Sequence, residues 1–158
     1  MFRPLTRIRQ VLPEAECIRL LTEEKRGVLS VAGDDGYPYG MPMNHYYDPA
    51  DGLIYFHCGR SGHRLDAVRR CEKASFCVYD QGYRREGEWA LNIASVIVFG
   101  RLEVVDDPAR VREQTRKLSL KFIRDEAYIG EEIRRSSPAT LLLVLHPEHI
   151  SGKMVNES

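Results

Sequence analysis

The sequence lacks an excess of charge of either sign. Its 158 residues carry 23 Lys and Arg against 23 Asp and Glu, so the formal net charge is zero. Nucleic-acid-binding domains usually have a basic excess, and we therefore expect no nucleic-acid partner. No apolar run approaches the roughly 20 residues of a membrane-spanning helix, and the N-terminal segment has no apolar signal core. These absences predict a cytoplasmic protein with no membrane association.

Paired cysteines are absent as well. The four cysteines stand at positions 17, 58, 71 and 77 and form no C-x-x-C pair, which is the usual spacing in structural zinc sites. We expect free thiols, with Cys58 and Cys77 serving as small buried hydrophobes inside apolar strands. His146 and His149 flank Pro147, which breaks a helix, and on a strand residues three apart face opposite sides. No metal site is predicted.

What the chain does contain is a series of short apolar runs separated by turn signals such as Asp34-Asp35-Gly36. Strands are expected at 28–33, 37–47, 53–58, 74–80, 91–105 and 140–146, with a short strand ending near Lys153. The first three predict an antiparallel meander. Helices are expected at 13–26, 63–70, 108–123 and 125–135. Because β-α alternation is missing, we predict a mainly β fold, a small antiparallel barrel with peripheral helices, as one domain over 1–158. Gly100 is the expected bend of the long strand.

The first chemically informative stretch is HCGRSGHRLD, residues 57–66. A strand ends there, two glycines frame a turn, and a helix begins at His63. Backbone N–H groups in such a turn form a natural anion site. Ser61, His63, Arg64 and Arg60 add further donors. The alternative is an ordinary turn in which Ser61 caps the helix and the arginines are solvated.

A second stretch, GYPYGMPMNHYY, carries prolines at positions 38 and 42 within a strand-like run. Because proline cannot donate to a sheet ladder, this strand has positions where its backbone pairs poorly and can face something else. Met43 and the aromatic residues are suited to a planar ligand, and Asn44 offers both a donor and an acceptor. The alternative is an edge strand with one hydrophobic face. Phosphate-loop, dinucleotide-binding, zinc-protease and serine-hydrolase motifs are all missing.

These stretches, together with the SVIVFGRLEVV strand, resemble the nitroimidazole-resistance proteins. That family belongs to the flavin-binding split barrels related to pyridoxamine 5′-phosphate oxidase. The similarity runs from Met1 to about residue 105 and returns weakly at HISGKM, 149–154. The combination of DGYPY, SGH-x-x-D and SV-x-x-FGR is specific to the family. The resemblance implies a homodimer of split β-barrels with flavin mononucleotide (FMN) in a groove at the subunit interface.

The resemblance also assigns site residues by position. Met41, Pro42, Met43, Asn44 and His45 match the strand along the isoalloxazine ring, and Phe56 and His57 match the strand near the ribityl chain. Ser61, Gly62, His63 and Arg64 match the phosphate loop, and His63 is also the expected catalytic residue. Ser95 would approach the ring from the partner subunit, and Lys153 matches a C-terminal Gly-Lys pair.

The implied activity is an FMN-dependent oxidoreductase that reduces a small acceptor such as a nitroaromatic or a quinone. True pyridoxamine 5′-phosphate oxidases carry lysine or arginine at the positions held here by His45 and His63, so oxidation of vitamin B6 is not expected. Two alternatives use the same groove. One is a non-enzymatic flavin- or haem-binding protein, since neutral imidazole is a good axial ligand for haem. The other is an enzyme that uses a deazaflavin.

Overall fold

The structure is a computed structural model that describes residues 1–158. One antiparallel sheet of seven strands is surrounded by four α-helices. The strands are β1 Arg26–Ala32, β2 Pro38–Asn44, β3 Tyr46–Asp48, β4 Leu53–Gly59, β5 Lys73–Tyr79, β6 Asn92–Val105 and β7 Thr140–Asn156. The helices are α1 Glu14–Glu23, α2 His63–Arg70, α3 Pro108–Leu120 and α4 Glu126–Ser136, with single 3₁₀ turns at Ile8–Gln10, Asp34–Gly36 and Ser137–Ala139. None of the helices combines the length and apolar character that crossing a bilayer requires.

The strand order across the sheet is β2-β1-β5-β6-β7-β4-β3. The two edge strands, β2 and β3, are separated along the chain by His45 alone. Edges joined by a single residue must lie close together, so the sheet curls into a half-barrel. The predicted antiparallel barrel with peripheral helices is therefore confirmed.

The predicted meander of the first three strands is wrong in its pairing. β1 and β2 form a hairpin, but β4 pairs with β3 and β7 on the far side of the sheet. The run at 37–47 forms two strands because the buried His45 interrupts it. The first helix ends at Glu23, earlier than predicted, because β1 already begins at Arg26. The C-terminal strands merge into the single strand β7.

Strands β6 and β7 form the longest ladder of the sheet, and its register shifts between Phe99 and Gly100. A Cβ atom at position 100 would overlap the carbonyl oxygen of His146 on the facing strand. Only glycine fits that close approach, so Gly100 is the bend site, as predicted.

The inner face of the curled sheet carries the main core, with Phe56, Phe76 and Leu143 fully buried. Helices α1 and α2 add Leu21 and Leu65 to this core. Helix α3 covers a second, smaller cluster on the other side of β4 and β7. On the outer side of β1, β5 and β6 the side chains of Val28, Ile97 and Phe99 remain exposed.

Candidate cofactor site

The start of α2 leaves backbone donors without partners. The helix begins at His63 behind Gly62, whose φ of 118° suits glycine and strains other residues. No side chain caps the helix, so its first three N–H groups have no acceptor within α2. The helix dipole adds partial positive charge at the same end. The alternative in which Ser61 caps this helix is therefore not what the structure contains.

A pocket of about 240 Å³ opens at this helix start. Its wall comes from β2, β4 and the first turn of α2, and is formed by Tyr39, Cys58, Gly59, Ser61, Gly62, His63, Arg64 and Leu65. His63 and Arg64 thus belong both to the pocket lining and to the helix turn whose N–H groups are unpaired. Free amides, an imidazole and a guanidinium around a small pocket suit a phosphate group.

The imidazole of His63 is fixed by its neighbours. It stacks on the ring of Tyr39 with 4.2 Å between centroids and 12° between planes. Its Nε2 lies 3.3 Å from Oδ2 of Asp34, and Oδ1 of the same carboxylate accepts a hydrogen bond from Arg70 at 2.6 Å. The sequence identified Asp34 only as part of a turn, because nothing local indicates that this turn folds against α2.

Arg60 does not join the pocket. Its guanidinium donates to both carboxylate oxygens of Asp106, at 2.5 and 2.7 Å, and to the carbonyl oxygen of Pro138 at 2.7 Å. These contacts tie the loop before α2 to the segments that follow β6 and precede β7. Arg60 therefore anchors the loop rather than adding a donor to the anion site, contrary to expectation.

Arg64 connects the pocket to β2, since its Nε lies 3.1 Å from Sδ of Met41. Met41 and Met43 are buried and face the core, whereas Pro42 is exposed and Asn44 half-buried on the other side of the strand. The side chain of Met43, which was expected to contact a planar ligand, therefore points into the core. What this strand presents outward is its backbone together with Pro42 and Asn44.

The free edge of β2 is left open by its two prolines. The N–H of His45 donates to the carbonyl of Lys25 at the end of the hairpin, so the odd-numbered residues of β2 bond to β1. The even-numbered residues direct their backbone groups to the free edge. Both prolines occupy even-numbered positions. Their missing N–H groups therefore leave the β1–β2 ladder intact and discourage another strand from pairing with the free edge of β2. Gly40 and Asn44 keep their N–H groups there.

Four of the sequence-predicted site residues lie in the core, where Phe56 and His45 join Met41 and Met43. Phe56 is fully buried and packs edge-on against Phe76, with 5.0 Å between centroids. His45 is also fully buried, and its Nε2–H donates to the carbonyl oxygen of Leu21 at 2.8 Å. Its own carbonyl oxygen accepts from Nζ of Lys121 at 3.0 Å. Neither side chain reaches the pocket, so the structure gives both of them packing roles.

The burial of His45 has a consequence for acid stability. Burial, with the nearby Lys121 charge, lowers the pKa of His45 to about 3. An unfolded histidine titrates near about 6.5, so the stabilisation is complete above that pH and is lost as pH falls toward 3. We expect this residue to remove about 2 kcal/mol of unfolding free energy between pH 6.5 and 5, at about 1.4 kcal/mol per unit. Urea unfolding across this range measures the loss. A His45→Gln variant with the wild-type pH slope would contradict it.

The remaining predicted residues lie on the outer surface. His57 keeps an exposed surface on β4, but its ring is partly desolvated by the surrounding protein. This desolvation, together with the Arg64 charge, lowers the pKa of His57 from the usual value. Ser95 on β6 and the exposed Lys153 on β7 are direct register partners. In the strand order, β1 and β5 lie between β2 and β6, so Ser95 is three strand spacings, roughly 14 Å, from β2. Within one copy of the chain, the pocket at the start of α2 lies next to β2, whereas Ser95 and Lys153 lie apart from both.

The family model described as pyridoxamine 5′-phosphate oxidase matches residues 13–154. The chain belongs to this family. No curated protein sequence matches it.

Solved structures extend the comparison at the level of fold. The chain is similar to a conserved hypothetical protein from Mycobacterium tuberculosis, with 18% identity, a TM-score of 0.79, and coverage of 95% of this chain and 90% of that one. It is similar to a candidate 5-nitroimidazole antibiotic resistance protein from Bacteroides thetaiotaomicron, with 14% identity, a TM-score of 0.76, and coverage of 92% and 87%. An FAD and heme binding protein from Mycobacterium smegmatis shares 21% identity, a TM-score of 0.71, and coverage of 92% and 72%. At these identities the likeness establishes the split-barrel fold only.

Proposed function

We propose that this member of the pyridoxamine 5′-phosphate oxidase family binds FMN in a groove between two copies of the chain. It would act there as an oxidoreductase that reduces a small acceptor such as a nitroaromatic or a quinone, as its resemblance to nitroimidazole-resistance proteins implies. One observation carries the proposal. The anion pocket at the start of α2 lies beside an edge strand whose prolines keep its free edge unpaired.

The phosphate is assigned to the pocket at Gly62, His63 and Arg64. A helix-end contact is worth roughly 0.3–1 kcal/mol, whereas micromolar binding requires about 8 kcal/mol. Phosphate contacts alone therefore cannot account for useful affinity. Most of the remaining binding free energy must come from burying the flat isoalloxazine ring. That burial requires an extended surface that begins at the pocket.

Strand β2 supplies that surface. From Tyr39, which stacks on His63 at the pocket, the strand continues for five residue steps, or roughly 17 Å, to Asn44. The open edge along this span carries the N–H groups of Gly40 and Asn44. These donors suit the polar edge of a flavin ring, and Pro42 offers an apolar contact.

A second copy of the chain is needed to complete the groove. Val28, Cys77 and Ile97 are register neighbours on the outer side of β1, β5 and β6, and Phe99 follows on β6. Val28, Ile97 and Phe99 keep 38%, 37% and 40% of their surface exposed, and Cys77 is half-buried rather than buried as predicted. Ser30 and Ser75 share the row of Phe99, so the apolar patch itself consists of Val28, Cys77 and Ile97 with Phe99 at its margin. An exposed apolar patch on a sheet is typical of an interface. A partner on this face would bring its own Ser95 and Lys153 to the groove.

Bound FMN would supply the electron-transfer chemistry, and the chain would bind and orient it. His63 is expected to act mainly on the phosphate, because the ribityl chain separates the phosphate from the ring. Any influence on the redox step then acts through the position of the flavin. Oxidation of pyridoxamine phosphate is not proposed.

A second candidate function is flavin or haem binding without turnover. His57 is exposed beside Arg64, and its lowered pKa favours the neutral imidazole that ligates haem iron. A structure with this fold is described as an FAD and heme binding protein. His57 is therefore the residue to replace if the purified protein contains haem.

The deciding experiment is a visible absorbance spectrum of the freshly purified protein, with acid-released ligand identified by mass. We expect flavin bands and released FMN, followed by steady turnover with a nicotinamide donor and a nitroaromatic or quinone. A Soret band, or flavin without turnover, would favour the second candidate. A colourless protein that also fails to take up added FMN would overturn the proposal.

A further inference from the structure

We propose that Asp34 is a positioning residue for His63, fixing the imidazole so that its Nδ1 is free to donate to a bound phosphate. This inference rests on the proposed function, because it concerns the same phosphate pocket. The observation behind it is the 3.3 Å approach of the Asp34 carboxylate to Nε2 of His63.

The carboxylate is itself held in place. Asp34 opens the tight turn between β1 and β2, in which Asp35 and Gly36 both adopt positive φ, 53° and 78°. Arg70, at the end of α2, donates to the other oxygen of the same carboxylate at 2.6 Å. The turn therefore attaches to both ends of α2, and Tyr39 covers one face of the imidazole. A 180° flip of the His63 ring would keep the stack on Tyr39 but would place Cε1 where Nε2 faces Asp34, so the Asp34 contact selects one ring orientation.

The hydrogen-bond donors of the imidazole ring explain how the Asp34 contact would act on phosphate binding. A neutral imidazole has one N–H, and a phosphate oxygen needs a donor. Both ring nitrogens are donors in the imidazolium, so Nε2–H can face the Asp34 carboxylate while Nδ1–H is left for the phosphate. The negative charge of Asp34 also repels phosphate, but the ion pair of Arg70 with the same carboxylate, at 2.6 Å, offsets part of that charge.

The test compares FMN with riboflavin, which lacks the phosphate. Dissociation constants for both ligands are measured by quenching of flavin fluorescence in the wild type, Asp34→Asn and Asp35→Asn. Asp35 is the matched control because it lies in the same turn and carries the same charge but has no side-chain contact with His63. We expect Asp34→Asn to reduce the preference for FMN over riboflavin about five- to tenfold, the size of one weakened charge-assisted hydrogen bond. Asp35→Asn should keep the wild-type preference.

Each other outcome is decisive. An unchanged or increased preference for FMN in Asp34→Asn would overturn the inference, because Asp34 would then be neutral or repulsive. Equal weakening of both ligands would also overturn it, since that indicates a structural role. In a His63→Gln background, Asp34→Asn should have no further effect. A wild-type protein that binds riboflavin as well as FMN would instead overturn the phosphate assignment itself. Melting temperatures establish that each variant is folded.

Discussion

His63→Ala is expected to weaken FMN binding roughly 10- to 100-fold, because one hydrogen bond to a charged group is worth about 1.5–3 kcal/mol and 1.4 kcal/mol is tenfold. The barrel should stay folded, since His63 is exposed and makes only surface contacts with Tyr39 and Asp34. Fluorescence quenching gives the affinity, and a thermal melt gives the stability. Riboflavin affinity should change little, because the lost contact is with the phosphate.

Arg69→Ala is the matched control for this result. Arg69 is exposed on the same helix and makes no side-chain hydrogen bond or ion pair, so its loss removes one positive charge without touching the pocket. We expect its FMN affinity to stay within about twofold of the wild type, in line with the small effects of surface substitutions. Full flavin content in His63→Ala would remove His63 from the phosphate site. Equal losses in both variants would indicate a general effect of charge.

The features that could be predicted from the sequence depend on neighbours along the chain. Helix α2 spans 63–70 as expected because a glycine-framed turn precedes it and its apolar residues share one side. Gly100 is the bend because a glycine inside a long apolar strand is typical of a bulge. The open edge of β2 follows from its two prolines, because both stand at even-numbered positions and so lack an N–H on the same side of the strand. Each of these signals lies within a few residues of the feature it predicts.

The features that could not be predicted depend on segments that meet only in the folded chain. β4 pairs with β7, which lies far along the chain, and no turn signal encodes that choice. The resemblance places His45 in the groove, but in the fold its imidazole is hydrogen-bonded to the carbonyl oxygen of Leu21 on α1, inside the core. The sequence makes Arg60 and His63 equal candidates for anion binding, but in the fold Arg60 pairs with Asp106 and His63 lies beside Asp34. The residue types indicated an anion site, and the tertiary fold decided which of them line it.

The proposed FMN groove depends on the outer side of the sheet as much as on the pocket. In one copy, Ser95 and Lys153 lie on the far side of β1 and β5 from the β2 edge. The apolar row formed by Val28, Cys77 and Ile97 crosses β1, β5 and β6 two residues along β6 from Ser95. If a second copy covers that row, the sites on both copies are completed at once. Loss of the interface should therefore remove flavin without any change in the phosphate pocket.

If the proposed dimer forms, Ile97→Asp is expected to convert it to a monomer and to abolish stable FMN binding. The new carboxylate would be taken out of water in the middle of an apolar interface, where an unpaired charge is strongly unfavourable. In the single copy Ile97 keeps 37% of its surface exposed, so the substitution should cost the monomer little stability. Light scattering after size-exclusion chromatography gives the oligomeric state, and the absorbance spectrum gives the flavin content.

Two variants separate the interface from the ring contact. Ile123→Asp makes the same change at a residue of similar exposure between α3 and α4, and should remain dimeric with full flavin. Ser95→Tyr, two residues from Ile97 on β6, should remain dimeric but lose flavin because the larger side chain fills the ring position. An Ile97→Asp protein that stays dimeric would show that another surface forms the interface. A monomer that keeps its FMN would show that one copy holds the complete site, and Ser95 and Lys153 would then have no part in it.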